Sequence, residues 1–195
     1  MNTEIITIVD RSGSMHALKN DVDGAFDAFV EEQRRVPSNA RLTLVHFDSE
    51  IENVYVAQPL AEVPAMDLRP RGATALLDAI GTTLNTQGQR IKEEAWAELV
   101  IVVIATDGQE NASREFGREA IVKMVQHAEK NDWKFVYLAS NQDAFQAARD
   151  IGSMAEYSMS HAASGRGTRE SYSYASEMVR SLRSRRPQTD SANWS

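Results

Sequence analysis

The run LVIVVIA, residues 99 to 105, constrains this chain more than any other stretch. It has no polar face, so a strand built from it must be covered on both sides. IITIV at residues 5 to 9 and KFVYLAS at 134 to 140 read the same way. Between such runs the apolar spacing changes from two to three or four. Leu18, Val22, Ala25, Phe26, Phe29 and Val30 form one helical stripe within residues 18 to 35. Leu76, Leu77, Ile80 and Leu84 form a second within 73 to 86, and Phe116, Ala120, Ile121, Met124, Val125 and Ala128 a third. QDAFQAARDIG, residues 142 to 152, is a fourth, closed by a glycine stop. Tyr172, Ala175, Met178, Val179 and Leu182 mark a final helix at 168 to 184.

Strands alternating with helices imply an α/β fold: a doubly wound, mostly parallel sheet of about six strands with helices on both faces. RLTLVHF (41 to 47) and IENVYVA (51 to 57), joined by DSE, read as a hairpin that adds one antiparallel edge strand. AEYSMS, 155 to 160, reads as a short last strand. Three prolines within residues 59 to 72 predict an exposed loop, and SGRG at 164 to 167 a flexible break. The reading is one domain over residues 1 to 184 and a disordered polar tail over 185 to 195.

Composition narrows the function classes. The 195 residues carry a net charge of −7, which argues against broad nucleic-acid binding. The basic run RSLRSRRP at 180 to 187 reads as a solvated helix end. No cysteine is present, so disulfides and thiolate metal sites are excluded. Glu4 interrupts the first apolar run and Asp10 closes it, unlike a signal peptide, and no run is long enough to span a bilayer. These features read as a cytoplasmic protein without membrane contact.

Two central strands end in an acid: IITIV delivers Asp10 and LVIVVIAT delivers Asp107. In a sheet of this class ligands gather beyond the carboxyl ends of the strands. Two carboxylates brought together there repel unless one takes a proton or a cation lies between them. Ser12 and Ser14 follow Asp10 at alternate positions, which turns them in a common direction on an extended turn, with Gly13 allowing the bend. Thr74 enters a helix from the proline-rich loop, where a threonine also commonly serves as an N-cap. Carboxylates and hydroxyls are hard oxygen ligands suited to magnesium or manganese.

DRSGSM after the first strand, GATAL midway and TDG after the fourth strand together resemble the von Willebrand factor type A (vWA) domain family, in its stand-alone intracellular form. The resemblance runs from Asp10 through the last helix. It implies a metal-ion-dependent adhesion site, D-x-S-x-S then T then D. Ser12, Ser14 and Thr74 would contact Mg2+ (or Mn2+), with Asp10 and Asp107 acting directly or through water. It further implies a protein partner that offers a glutamate or aspartate carboxylate to the ion, no catalysis, and in some members movement of the last helix, which HAASGRG at 161 to 167 would permit. The rim would come from Arg11, pointing outward, with Met15, His16, Arg69, Arg71, Gln109, Glu110, Asn111, Ser140, Asn141 and Gln142. Two alternatives stand beside this: a magnesium-dependent hydrolase or phosphotransferase, and a metal-free structural subunit. Ser12 occupies the place of the second acid of an aspartyl-phosphate transferase, and no Walker loop, G-x-G-x-x-G or G-x-S-x-G is present.

Overall fold

The computed structural model describes residues 1–108, 110–139, 158–160 and 162–184. A six-stranded sheet has the order β3-β2-β1-β4-β5-β6. Its strands are β1 (Thr3–Asp10), β2 (Ala40–Phe47), β3 (Ile51–Pro59), β4 (Leu99–Thr106), β5 (Lys134–Ala139) and β6 (Ser158–Ser160). All neighbours are parallel except β2 and β3, the antiparallel edge hairpin. The helices are α1 (Lys19–Arg34), α2 (Leu76–Glu94), α3 (Arg118–Lys130) and α4 (Gly165–Ser184).

The strands sort their side chains by alternation. Ile5, Val9, Ile101, Val103, Val136 and Leu138 face one layer, where Phe26 and Phe29 of α1 meet Tyr172, Ala175 and Val179 of α4. Ile6, Ile8, Val102, Ile104, Phe135 and Tyr137 face the other, against Leu76 and Ile80 of α2 and Ile121 and Val125 of α3. Burial on both faces is why these strands read as unbroken apolar runs. It also fixes register, since a slip of one residue would exchange the two faces.

Several elements differ from the sequence reading. α2 runs on to Glu94 because Gln87 and Ile91 continue its buried stripe, and it stops at left-handed Ala95. Phe116 precedes α3 and packs its ring against Gly81 of α2, leaving no room there for a side chain. The loop at 59 to 72 is not simply exposed. Leu60, Val63, Met66 and Leu68 are buried, and the Met66 and Leu68 amides donate to Asp27 and Asp23 of α1 at 2.9 and 3.0 Å. SGRG is no break either: Ser164 accepts from the Gly167 amide at 3.2 Å and forms the first turn of α4. The helix read at 142 to 152 and the tail at 185 to 195 lie outside the described residues. Among the described residues no helix is long and apolar enough to cross a membrane.

Candidate metal centre

Because β1 and β4 are parallel neighbours, with Val9 opposite Ala105, their carboxyl ends bring Asp10 and Asp107 to one place. The Thr106 hydroxyl donates to Asp10 Oδ2 at 2.6 Å, and the Ser12 amide donates to Asp10 Oδ1 at 2.7 Å. Ser12 Oγ and Ser14 Oγ lie 3.0 Å apart, and Ser14 Oγ donates to Asp107 Oδ1 at 2.7 Å. Four of the five sequence-identified residues are thus joined in one hydrogen-bonded chain. Thr74 is the fifth. A Cβ placed on Gly108 would lie 3.0 Å from Thr74 Oγ1 and 3.7 Å from Asp10 Oδ2, so both oxygens border the point that this glycine leaves open.

The two serines converge, but not on an extended turn. Ser12 precedes a 3-10 helix, Gly13–Leu18, which curls Ser14 back beside it. Gly13 is not left-handed. Among the described residues the left-handed glycine is Gly72 (φ 67°), whose carbonyl accepts from the Gly13 amide at 3.1 Å. Thr74 is not the cap of α2: Ala75 holds that position and makes no side-chain cap bond. Instead Glu110 accepts from the Leu77 amide at 2.9 Å, and Thr74 and Asn111 exchange two bonds, Thr74 N to Asn111 Oδ1 at 2.9 Å and Asn111 N to Thr74 O at 3.0 Å.

The expected rim is mostly tied down. Arg11 does not point outward. It is 5% exposed, donates Nε to Asp48 Oδ2 at 2.7 Å and pairs with Glu52. Met15 is core. Arg69 pairs with Asp67, and Arg71 with Asp48 and Glu50. Glu110 and Asn111 hold the loop after β4 against α2, while His16 is exposed. Gln109, Ser140, Asn141 and Gln142 lie outside the described residues.

Two structural carboxylates had no sequence signal. Asp48, buried after β2, accepts from Arg11, from Arg71 at 2.9 Å and from the Glu50 amide at 2.8 Å, while its carbonyl accepts from the Ala75 amide at 2.9 Å. It therefore locks the Asp10–Ser14 loop to the loop carrying Thr74. Burial works to raise the Asp48 carboxyl, but hydrogen bonds from Arg71, the Glu50 amide and Arg11 outweigh it and hold it below the usual range. Asp78, buried in α2, accepts from the amides of Arg114, Glu115 and Phe116 at 2.7 to 2.9 Å and anchors the loop leaving Asp107. A pairing of distant loops through one carboxylate leaves no periodicity to read.

Asp10 is fully buried, and burial pushes its carboxyl up to about 6. Hydrogen bonds from Thr106 and Ser12 pull it down and the charge of Asp107 adds to the rise. The Thr106 hydroxyl and the Ser12 amide hold it, and no cationic side chain among the described residues is paired to it. Among the described residues no group of three or more His, Cys, Asp and Glu is placed to hold a metal. This cluster has two carboxylates, and its other three oxygens are hydroxyls. Such an all-oxygen set fits a hard cation and offers nothing to a soft one.

An α/β sheet in this strand order, with its polar cluster at the carboxyl edge, is the fold of vWA domains. Solved structures agree. The von Willebrand factor domain of the type V pilus tip protein Mfa5 from Porphyromonas gingivalis superimposes with a TM-score of 0.69 at 10% identity, covering 96% of this chain and 98% of that one. A von Willebrand factor type A protein from Catenulispora acidiphila gives 0.63 at 16%, covering 92% and 42%. Proximal thread matrix protein 1 of the mussel byssus gives 0.64 at 16%, covering 93% and 46%, so this chain spans about half the length of that protein. No protein-family model and no curated protein matches the sequence.

Proposed function

We propose that this chain is a protein-binding domain of the vWA family, intracellular and non-catalytic, that holds Mg2+ or Mn2+ at Asp10, Ser12, Ser14, Thr74 and Asp107. The supporting observation is the convergence of three hydroxyls and two carboxylates from three distant segments at one sheet edge. Bound there, the cation would supply one strong, directional bond to a glutamate or aspartate of the partner protein. The chain's own residues do the rest. Three of the five donors are neutral, and with the carboxylates acting through water much of the cation's charge would stay uncancelled. Asp10, buried and held by Thr106, contributes a fixed carboxylate. Ser14 is exposed, so a partner would meet it first. The cysteine-free sequence supports placing the domain in the cytoplasm.

Thermal melting in EDTA and then in millimolar magnesium tests the cation. A ligand of the native state raises the midpoint by mass action. Capture of partners from a lysate in magnesium, by wild type and by Asp10→Ala, tests adhesion. Proteins retained only by wild type support it. No magnesium shift together with equal capture favours a metal-free packing module, which the mutual hydrogen bonds of the cluster would sustain. Magnesium-dependent phosphoester turnover lost in Asp10→Ala would make the site an enzyme.

A further inference from the structure

A groove of about 830 Å³ runs between α2 and α3 and includes Trp133, the residue before β5. Its apolar lining is Leu84 and Ile91 of α2, Met124 and Ala128 of α3, and Trp133. Of the described lining residues only Leu84 and Ile91 are buried, so the groove is open to solvent. Its charges have one sign. Lys92, Lys123 and the exposed His127 line it, and among the described residues no carboxylate does. Lys19 and Lys134 are each paired with an aspartate, whereas Lys92 and Lys123 pair with no carboxylate among the described residues. A chain of net charge −7 thus keeps an apolar groove flanked by lysines without acids. Gly88 adds a second sign. It lies inside α2, where glycine weakens a helix relative to alanine. A Cβ there would meet only Trp133 Cη2, at an ordinary 3.9 Å, so packing does not demand glycine. The missing side chain instead leaves the groove open beside the Trp133 ring.

The placing of the two lysines identifies the occupant. α2 and α3 both start from the carboxyl edge of the sheet and lead into parallel strands, so they run side by side in one direction. Lys123 is the first lining residue of α3 and Lys92 the last of α2, so the charges stand on opposite walls at opposite ends. From Asn85 to Lys92 the α2 wall spans about 11 Å, two helical turns. A helix with apolar residues at i, i+3, i+4 and i+7 covers that length, and acids on its two flanks would reach one lysine each. A small ligand would leave much of its surface in water, because small-molecule sites enclose most of what they bind. We infer that the groove docks an acidic amphipathic helix of a partner protein, its apolar stripe on Met124 and Trp133 and its carboxylates on Lys92 and Lys123. The groove starts well down α2 from Thr74 and does not use the oxygen cluster.

The probe is a model helix of about 16 residues with leucines at i, i+3, i+4 and i+7 and glutamates on both flanks. A helix with lysines in place of the glutamates, and decanoate, are the comparisons. The protein is titrated in EDTA, so the outcome does not depend on the cation site. The glutamate helix should give saturable shifts in the Gly88 and Met124 amides and the Trp133 indole, with the lysine helix about tenfold weaker. Lys92→Glu combined with Lys123→Glu should reverse that preference, and both positions are exposed, so the fold survives. Gly88→Leu should abolish the shifts by filling the groove, without lowering the melting midpoint, because leucine is the better helix former. No saturable shift with the glutamate helix, equal binding of the two helices, or an unreversed preference in the double variant would overturn the inference. So would wild-type binding by Gly88→Leu, or decanoate giving the same shifts at the same concentration, which would make the groove a site for small amphiphilic anions.

Discussion

Alanine should stabilise the protein at one glycine and fail to do so at another. In a helix interior alanine is favoured over glycine by about 1 kcal/mol. Gly24 lies in α1 on the exposed side, and an added Cβ would meet nothing within 4 Å. Gly24→Ala should therefore show nearly the whole gain, a stabilisation of about 0.5 to 1 kcal/mol. Gly81 lies in α2, where the same Cβ would sit 2.5 Å from Phe116 Cγ and 2.6 Å from each Cδ. Overpacking of this kind costs about 1 to 3 kcal/mol, and the half-buried ring can relieve part of it by moving. Subtracting the propensity gain leaves Gly81→Ala neutral to destabilised by about 2 kcal/mol. Urea denaturation with unchanged slope measures both variants. Adding Phe116→Leu should cost the Gly81→Ala protein less than it costs wild type, a coupling that identifies the ring as the obstacle. If Gly81→Ala gains as much as Gly24→Ala, the packing of Phe116 into α2 is wrong.

Burial, reinforced by the charge of Arg11, pushes His46 down to about 4 from an ordinary 6.5, so the native state keeps it neutral. Between those pH values the unfolded chain binds the extra proton. His46 therefore takes away stability as pH falls through that window, about 3 kcal/mol at most. Wild type and His46→Gln compared in urea at pH 7 and pH 4.5 should show the variant losing less, and equal losses would refute this. Asp78→Ala should cost about 2 to 3 kcal/mol by leaving three amides unpaired, with fastest hydrogen exchange in the loop after β4. Arg183, buried with no acidic partner among the described residues, donates to Gln33 O at 2.8 Å and Ser38 O at 3.1 Å, and so fastens α4 to the end of α1. Arg183→Ala should lower stability by about 2 kcal/mol, with fastest hydrogen exchange in α4; uniform loosening would contradict it.

The fold was legible because burial on both faces writes itself as unbroken β-branched runs, and helix stripes mark what covers them. The edge hairpin was legible from the strict alternation of RLTLVHF. The five oxygen residues were legible as a pattern, and the structure brings them to one edge of the sheet. What escaped was every contact between distant loops. A charge beside a strand end is usually solvated, so the sequence points Arg11 outward; Asp48, which buries it, lies 37 residues away. Glu110 and Asn111 looked like rim because nothing local marks a residue that caps a helix from another loop. SGRG looked loose by composition, yet Ser164 makes it a helix start.

The oxygen cluster draws on residues 10 to 14, 74 and 107, held at neighbouring ends of β1 and β4. During synthesis the first two contributions emerge well before the third. Until β4 has left the ribosome and settled beside β1, the first strand has no partner on that side, and the cluster lacks Asp107. A nascent or half-folded copy thus cannot present the finished oxygen set, so assembly of the cluster is tied to completion of the central sheet.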